Sequence, residues 1–250
     1  MRTLSLPAML TAGLLLLAPA ALAAAGSQPS GTTRTEDGKL REFHAVFRLE
    51  RGGHEVAEAV MSLKKVDKET YRYTSHSEAL GVLSFFVKDE IDEVSVFHVN
   101  NGEIVPLSYI YRHKGSSKNR NEDLTYDWVN GIAASDYRGR ESSIPLMAGT
   151  VDRFLLPLAL GASQGIESLD TTVPVIDKGE VKQWHLKALR TETLQTRAGT
   201  FEALRIERVD DDTDKTVRIW LAPALNYAPI RIDYQKRGDR LLRLNLHSLK

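Results

Sequence analysis

The stretch Phe43-His44-Ala45-Val46-Phe47-Arg48-Leu49-Glu50-Arg51-Gly52-Gly53 decides the fold. Phe43, Ala45, Phe47 and Leu49 alternate with His44, Arg48 and Glu50. A period of two puts the apolar side chains on one face of a strand and the polar ones on the other. Gly52-Gly53 ends the strand in a turn. Ala57, Ala59, Met61 and Leu63 then alternate with Glu58, Ser62 and Lys64. The charged stretch from Lys65 to Glu69 makes the next turn, after which Tyr71 and Tyr73 alternate with Arg72, Thr74 and His76. This is a meander of half-buried antiparallel strands.

Outward from there the pattern continues. Phe85, Val87 and Ile91 lead into Val94 to Val99, and Asn100-Asn101-Gly102 is a hairpin signal. Ile104, Leu107, Tyr109 and Tyr111 follow, then Leu124, Tyr126 and Trp128, with Asn130-Gly131 as a second tight turn. Val173 to Ile176, Val181 to Leu189, Phe201 to Val209, Val217 to Leu221, Ile230 to Tyr234 and Leu241 to Leu246 also read as strands. The fold class is all-β: roughly a dozen strands in one strongly curved antiparallel sheet, a barrel or half-barrel. Alternation allows the curved sheet to be filled by its own aromatic residues or to keep a cavity for an apolar ligand.

One run departs from the alternation. Val151 to Leu160 is almost continuously apolar, and Phe154, Leu155, Leu158 and Ala159 share a helical face. One short helix is expected near 151–160, packed on the sheet or plugging its open end, with Asp152 in the first turn. Pro157 weakens that reading, and a buried strand is the alternative.

The ends and composition bound the function. Arg2, the apolar run Leu4–Leu22 and Ala21-Leu22-Ala23 form a secretory signal with cleavage after Ala23, and Ser27 to Gly38 is a polar lead-in. The domain reading is therefore signal 1–23, flexible lead-in 24–41, and one all-β domain 42–250. Cleavage leaves 227 of the 250 residues, and the mature chain is expected to be periplasmic or secreted and not membrane-spanning. The chain has 33 basic and 33 acidic residues, so charge gives no reason to expect nucleic acid. It has no cysteine, which excludes disulfides, thiolate zinc sites and cysteine nucleophiles.

Candidate chemistry is sparse. Gly161-Ala162-Ser163-Gln164-Gly165 matches G-x-S-x-G, but that motif acts only between a strand and a helix, a context the sequence does not supply. The seven histidines, His44, His54, His76, His98, His113, His185 and His247, show no H-x-x-x-H or H-x-H spacing. His44 and His76 fall on the wet face of their strands. Asp210-Asp211-Asp212 with Asp214 lacks the glycine and distal glutamate of a calcium loop and reads as a solvated hairpin tip. Lys114 to Arg120 and Lys236-Arg237 with Arg240 read as soluble surface. No catalytic residue, metal or cofactor is expected. Candidate cavity-wall residues are Trp128, Phe154, Trp220 and Tyr109.

Several segments in order carry a resemblance: Asn101-Gly102-Glu103-Ile104-Val105-Pro106-Leu107-Ser108-Tyr109, Tyr126-Asp127-Trp128, Asp152-Arg153-Phe154, Gly199-Thr200-Phe201-Glu202-Ala203-Leu204-Arg205-Ile206, and Ile219-Trp220-Leu221-Ala222 with Tyr227, Pro229 and Ile230-Arg231-Ile232. Together they resemble the exported bacterial family called domain of unknown function 3108, over about Phe43 to Leu249. The resemblance implies a periplasmic, curved-sheet protein, loosely similar to LolA-like lipoprotein carriers, and it brings no catalytic or binding residues. The expected function is non-enzymatic binding of an apolar or lipid-like envelope component. An envelope scaffold with a filled core, docking another envelope protein, is the alternative, and a hydrolase is the third reading.

Overall fold

The alternation from Phe43 to Leu63 becomes β1 (Phe43–Arg51) and β2 (His54–Lys65), paired antiparallel with Phe47 opposite Ala59. The structure is a computed structural model that describes residues 40–81, 89–100, 102–115, 120–209 and 214–250. The expected signal at 1–23, the expected lead-in as far as residue 39, Phe85, Val87, Asn101 and Asp210 to Asp212 lie outside the described residues, as does most of the loop from Lys114 to Arg120.

From β2 the meander runs on through β3 (Thr70–Ala79), β4 (Glu90–Asn100), β5 (Glu103–Lys114), β6 (Arg120–Asp127), β7 (Ile132–Tyr137) and β8 (Arg140–Pro145). The second half holds β9 (Val151–Asp152), β10 (Asp170–Asp177), β11 (Glu180–Thr196), β12 (Gly199–Arg208), β13 (Lys215–Ala222), β14 (Ala228–Lys236) and β15 (Leu242–Leu249). All join one sheet in the order β8-β7-β6-β5-β4-β3-β2-β1-β15-β14-β13-β12-β11-β10-β9. Each strand pairs with a sequence neighbour, β1 also pairs with β15 in the middle, and the consecutive β8 and β9 lie at opposite ends. Every pairing is antiparallel but the last, β9 with β10.

The expected all-β curved sheet is therefore present. Its fifteen strands exceed the expected dozen by β7, β8 and β9. The ladder does not close, because β8 and β9 are its two edges. Bulges sharpen its curvature. One falls between Val96 and Phe97, where Phe97 faces Pro106. There β5 has not yet met β6, whose pairing begins at Ser108 opposite Thr125, so Pro106 sits where a missing backbone donor is tolerated.

The apolar run from Val151 divides into β9 and a helix, α1 (Leu156–Ala162). The helix starts later than expected because Val151 and Asp152 pair with Val175 and Ile176. Pro157 lies in its first turn, where no helical hydrogen bond is lost. α1 is apolar on both sides. Leu155, Leu158 and Ala162 join a cluster with Phe47, Tyr71 and Phe97, while Leu156 and Leu160 join another with Leu186, Ile206 and Ile219. It is thus a plug held inside the curved sheet. No helix among the described residues is long and apolar enough to cross a membrane.

Candidate functional site

Asp152-Arg153-Phe154 leaves β9 and turns toward α1, and its three side chains go to three different neighbours. Asp152 is fully buried. Its Oδ1 accepts the Leu155 N–H at 2.8 Å and the Ser95 hydroxyl at 3.0 Å, while its Oδ2 has no hydrogen-bond partner. Burial pushes the carboxyl up to about 7, and the two hydrogen bonds only partly offset that.

Arg153 reaches across the interior. Its guanidinium donates to Asp177 Oδ1 at 3.1 Å, to the Tyr109 hydroxyl oxygen at 3.0 Å and to Glu93 Oε1 at 3.3 Å. It also lies 4.5 Å from the centroid of the Tyr111 ring, a cation–π distance. Tyr109 in turn donates to Glu93 Oε1 at 2.7 Å, and Lys182 donates to Asp177 Oδ2 at 2.7 Å. Burial opposes ionisation of Asp177, but the Lys182 hydrogen bond and the Arg153 and Lys182 charges outweigh it and hold the carboxyl below its ordinary value. Burial, reinforced by the Glu93 charge, pushes the Tyr109 hydroxyl well above its ordinary value. Phe154 stacks on Tyr73 with ring centroids 4.2 Å apart and planes 3° from parallel.

This network forms part of the wall of a cavity of about 510 Å³. Ligand pockets run from roughly 300 to 1,000 Å³. Met61, Tyr73, Phe154, Ile219, Ile232 and Leu244 supply apolar wall. The interior is not filled here: Ile91, Tyr111, Trp184, Ile232, Leu242 and Leu244 all line the cavity and are only half-buried. Close packing would have covered them. A second cavity, of about 650 Å³, is lined by Ile104, Trp128, Val151 and Leu160 among others. Leu156 lines both, so the first turn of α1 is a wall common to the two.

The four expected cavity-wall residues separate. Phe154 lines the smaller cavity and Trp128 the larger. The Trp128 indole N–H donates to the Pro106 carbonyl at 2.7 Å. Tyr109 is wholly buried behind the wall and acts through Arg153 and Glu93. Trp220 lines neither: it is buried, donates to Glu192 at 3.1 Å and lies under Arg231. Sequence reasoning missed Glu93, Arg153, Asp177 and Lys182. The available signal was Asp152-Arg153, two charges opening an otherwise apolar run.

The other motifs have structural explanations. A helix precedes Ser163 and a 3-10 turn, Ile166–Ser168, follows it, which reverses the setting of a nucleophile elbow. The Ser163 hydroxyl bonds back to the Ala159 carbonyl at 3.0 Å. A Cβ on Gly161 would stand 2.4 Å from the Tyr227 carbonyl oxygen, so this glycine lets α1 approach the turn into β14. His76 lies 2.7 Å from Asp92 and His185 2.6 Å from Asp170, both at the surface. Asp214 pairs with Lys236 at 3.5 Å.

A large, strongly curved, unclosed and mostly antiparallel sheet with an internal helix and a cavity defines a barrel-like all-β architecture. Among solved structures the chain is similar to a β-barrel-like protein of domain of unknown function DUF1849 from Brucella abortus, at 11% identity and a TM-score of 0.51, covering 84% of this chain and 97% of that one. A Bacteroides fragilis protein with a YmcC-like fold aligns at 9% identity and a TM-score of 0.34, over 89% of this chain and 100% of that one. Comparison with curated protein sequences gives no match. The family described as protein of unknown function (DUF3108) matches residues 45–237, and the chain belongs to it.

Proposed function

We propose that this chain is an exported, non-enzymatic protein of the bacterial envelope that holds an apolar, lipid-like ligand inside its curved sheet. The observation that carries this is the 510 Å³ cavity, with apolar side chains from β4, β5, β11, β14 and β15 left half-exposed to it. A sheet that needed only a stable core would have covered them, since each CH₂ removed from water contributes about 0.8 kcal/mol. The secretory signal at 1–23 supports the envelope setting. Mass spectrometry of an organic extract of the mature protein, purified from its native host, tests the reading. A stoichiometric amphiphile is the expected result. Empty protein that also fails to bind any twelve-carbon probe in titration overturns it.

A further inference from the structure

Where the strand ladder stays open, its two edge regions bring buried polar side chains together. Glu122 and Tyr126 come from β6 and Ser135 from β7, near one edge, while Asp152 comes from β9, the other edge. All four residues are between 0% and 6% exposed. Glu122 Oε2, Tyr126 Oη, Ser135 Oγ and Asp152 Oδ2 have no hydrogen-bond partner among the described residues. Native interiors leave few polar atoms in that condition, because each costs folding free energy.

The register explains the grouping. Ser95 stands opposite Tyr109, Tyr109 opposite Leu124, and Leu124 opposite Ser135. Glu122 and Tyr126 lie two residues either side of Leu124 on the same face, so both are diagonal neighbours of Ser135. Asp152 reaches this row from across the interior, where its Oδ1 accepts the Ser95 hydroxyl at 3.0 Å. The charges of Asp152 and Glu122 reinforce the burial that raises the Tyr126 hydroxyl. Small side chains leave room: Ala133 and Ser135 are the buried residues of β7, and a Cβ on Gly179 would stand 3.3 Å from Ser135 Oγ.

Two of the four atoms belong to hydroxyl donors and two are carboxyl oxygens. Such groups would pair directly if they touched, so whatever satisfies them sits between them and must both donate and accept. A cation answers only the oxygens' lone pairs, and an anion only the hydroxyl protons. Water does both and needs two to four polar partners. Among the described residues no three His, Asp or Glu side chains are grouped to hold a metal. We infer that a buried water site lies between β6, β7 and β9, bridging Tyr126 and Ser135 to Asp152 and Glu122. It completes, inside the gap, the closure that the ladder does not make. The site is independent of the proposed ligand-binding function.

A crystal structure of the mature protein and urea unfolding of two variants test it. At least one enclosed water is expected within about 3.2 Å of Tyr126 Oη and of a carboxyl oxygen of Asp152 or Glu122. Tyr126→Phe keeps the ring and removes only the hydroxyl, so the water loses a partner. The folding equilibrium should then shift toward the unfolded state by about fivefold, the size of one net hydrogen bond. Ser135→Ala, which touches no ring packing, should shift it the same way. If the hydroxyls were true orphans, removing them would relieve a penalty and shift the equilibrium toward the folded state. Variants that both match or exceed wild-type stability therefore overturn the inference. So does a crystal structure in which the hydroxyls bond the carboxyls directly, or in which a metal ion occupies the site.

Discussion

The Gly179 N–H donates to Glu122 Oε1 at 2.8 Å, joining the β10–β11 turn to β6 across the gap that the strand ladder leaves open. The Ser142 hydroxyl also reaches the Gly179 carbonyl, at 3.5 Å. The curved sheet thus closes through a turn and side chains. Glu122 is buried, and burial raises its carboxyl even against the hydrogen bonds from Gly179 and Lys178 that favour the charged form. Gly179 is doubly constrained. Its φ is +73°, and an added Cβ would lie 3.1 Å from the Tyr137 Cβ and 3.3 Å from the Ser135 Oγ. Gly179→Ala should destabilise the fold by about 1–2 kcal/mol from the left-handed backbone alone. Urea unfolding of the variant checks this, and an unchanged midpoint would show that the turn does not hold the gap.

Asp152 should make the protein less stable as pH rises. Its folded carboxyl is raised to about 7 from an ordinary value of 3.8. Between those values the folded state keeps a proton that the unfolded chain has released, so stability falls from about pH 4 to about pH 7 and then levels. Asp152→Asn keeps an oxygen able to accept from Leu155 and Ser95 and removes the charge. The variant should lose part of this slope and gain thermal stability relative to wild type at pH 8. Melting curves at pH 4, 6 and 8 measure it. Parallel pH profiles for the two proteins would contradict a raised carboxyl.

Gly161 and Ser163 should behave oppositely, although they stand in one motif. A side chain at 161 meets the Tyr227 carbonyl oxygen at 2.4 Å, and that oxygen is backbone. Gly161→Ala should cost at least about 1–3 kcal/mol as α1 is pushed off the turn. Ser163 is exposed and its hydroxyl only returns to the Ala159 carbonyl. Ser163→Ala should change stability by less than about 0.5 kcal/mol, as surface substitutions do. Paired denaturation curves are sufficient. A large effect at Ser163 would reveal a role that its contacts do not contain.

How far the sequence could be read follows from range. β1 to β3 were legible because Phe43 to Leu49, Ala57 to Leu63 and Tyr71 to Tyr73 each keep an apolar period of two, which Val46 and Val60 disturb only locally. β7 and β8 were not, because Ala133 and Ser135 are the buried residues of one and Ile144 of the other, and such small or sparse side chains give little contrast. β9 is two residues, below the length at which periodicity exists. The helix was visible as an apolar run, but its start was hidden, because β9 is fixed by pairing with β10. Of the site, Phe154 and Trp128 were legible as large aromatics facing inward. The Arg153 network was not, because Glu93, Tyr109 and Asp177 come from three strands, 60, 44 and 24 residues away. Trp220 lies away from the two cavities because its strand is buried on both faces, with Ile219 and Leu221 in one cluster and Trp220 in the other.

Ile232 offers the sharpest control of the cavity. It lines the open part, is half-buried, and sits opposite Ile219 and Leu244 in the sheet. A larger side chain there can extend into open space without displacing packed neighbours. Ile232→Trp should therefore leave the unfolding midpoint unchanged while weakening a twelve-carbon probe by more than tenfold. In the wild type, shortening the probe from twelve to ten carbons should weaken it by roughly 15-fold, since two CH₂ groups at about 0.8 kcal/mol each amount to about 1.6 kcal/mol. Calorimetric titration of both proteins with the two chain lengths checks the pair of statements. Binding that is indifferent to chain length and to Ile232→Trp would place the tail outside this cavity, with the space across α1, lined by Trp128 and Leu160, as the next to fill.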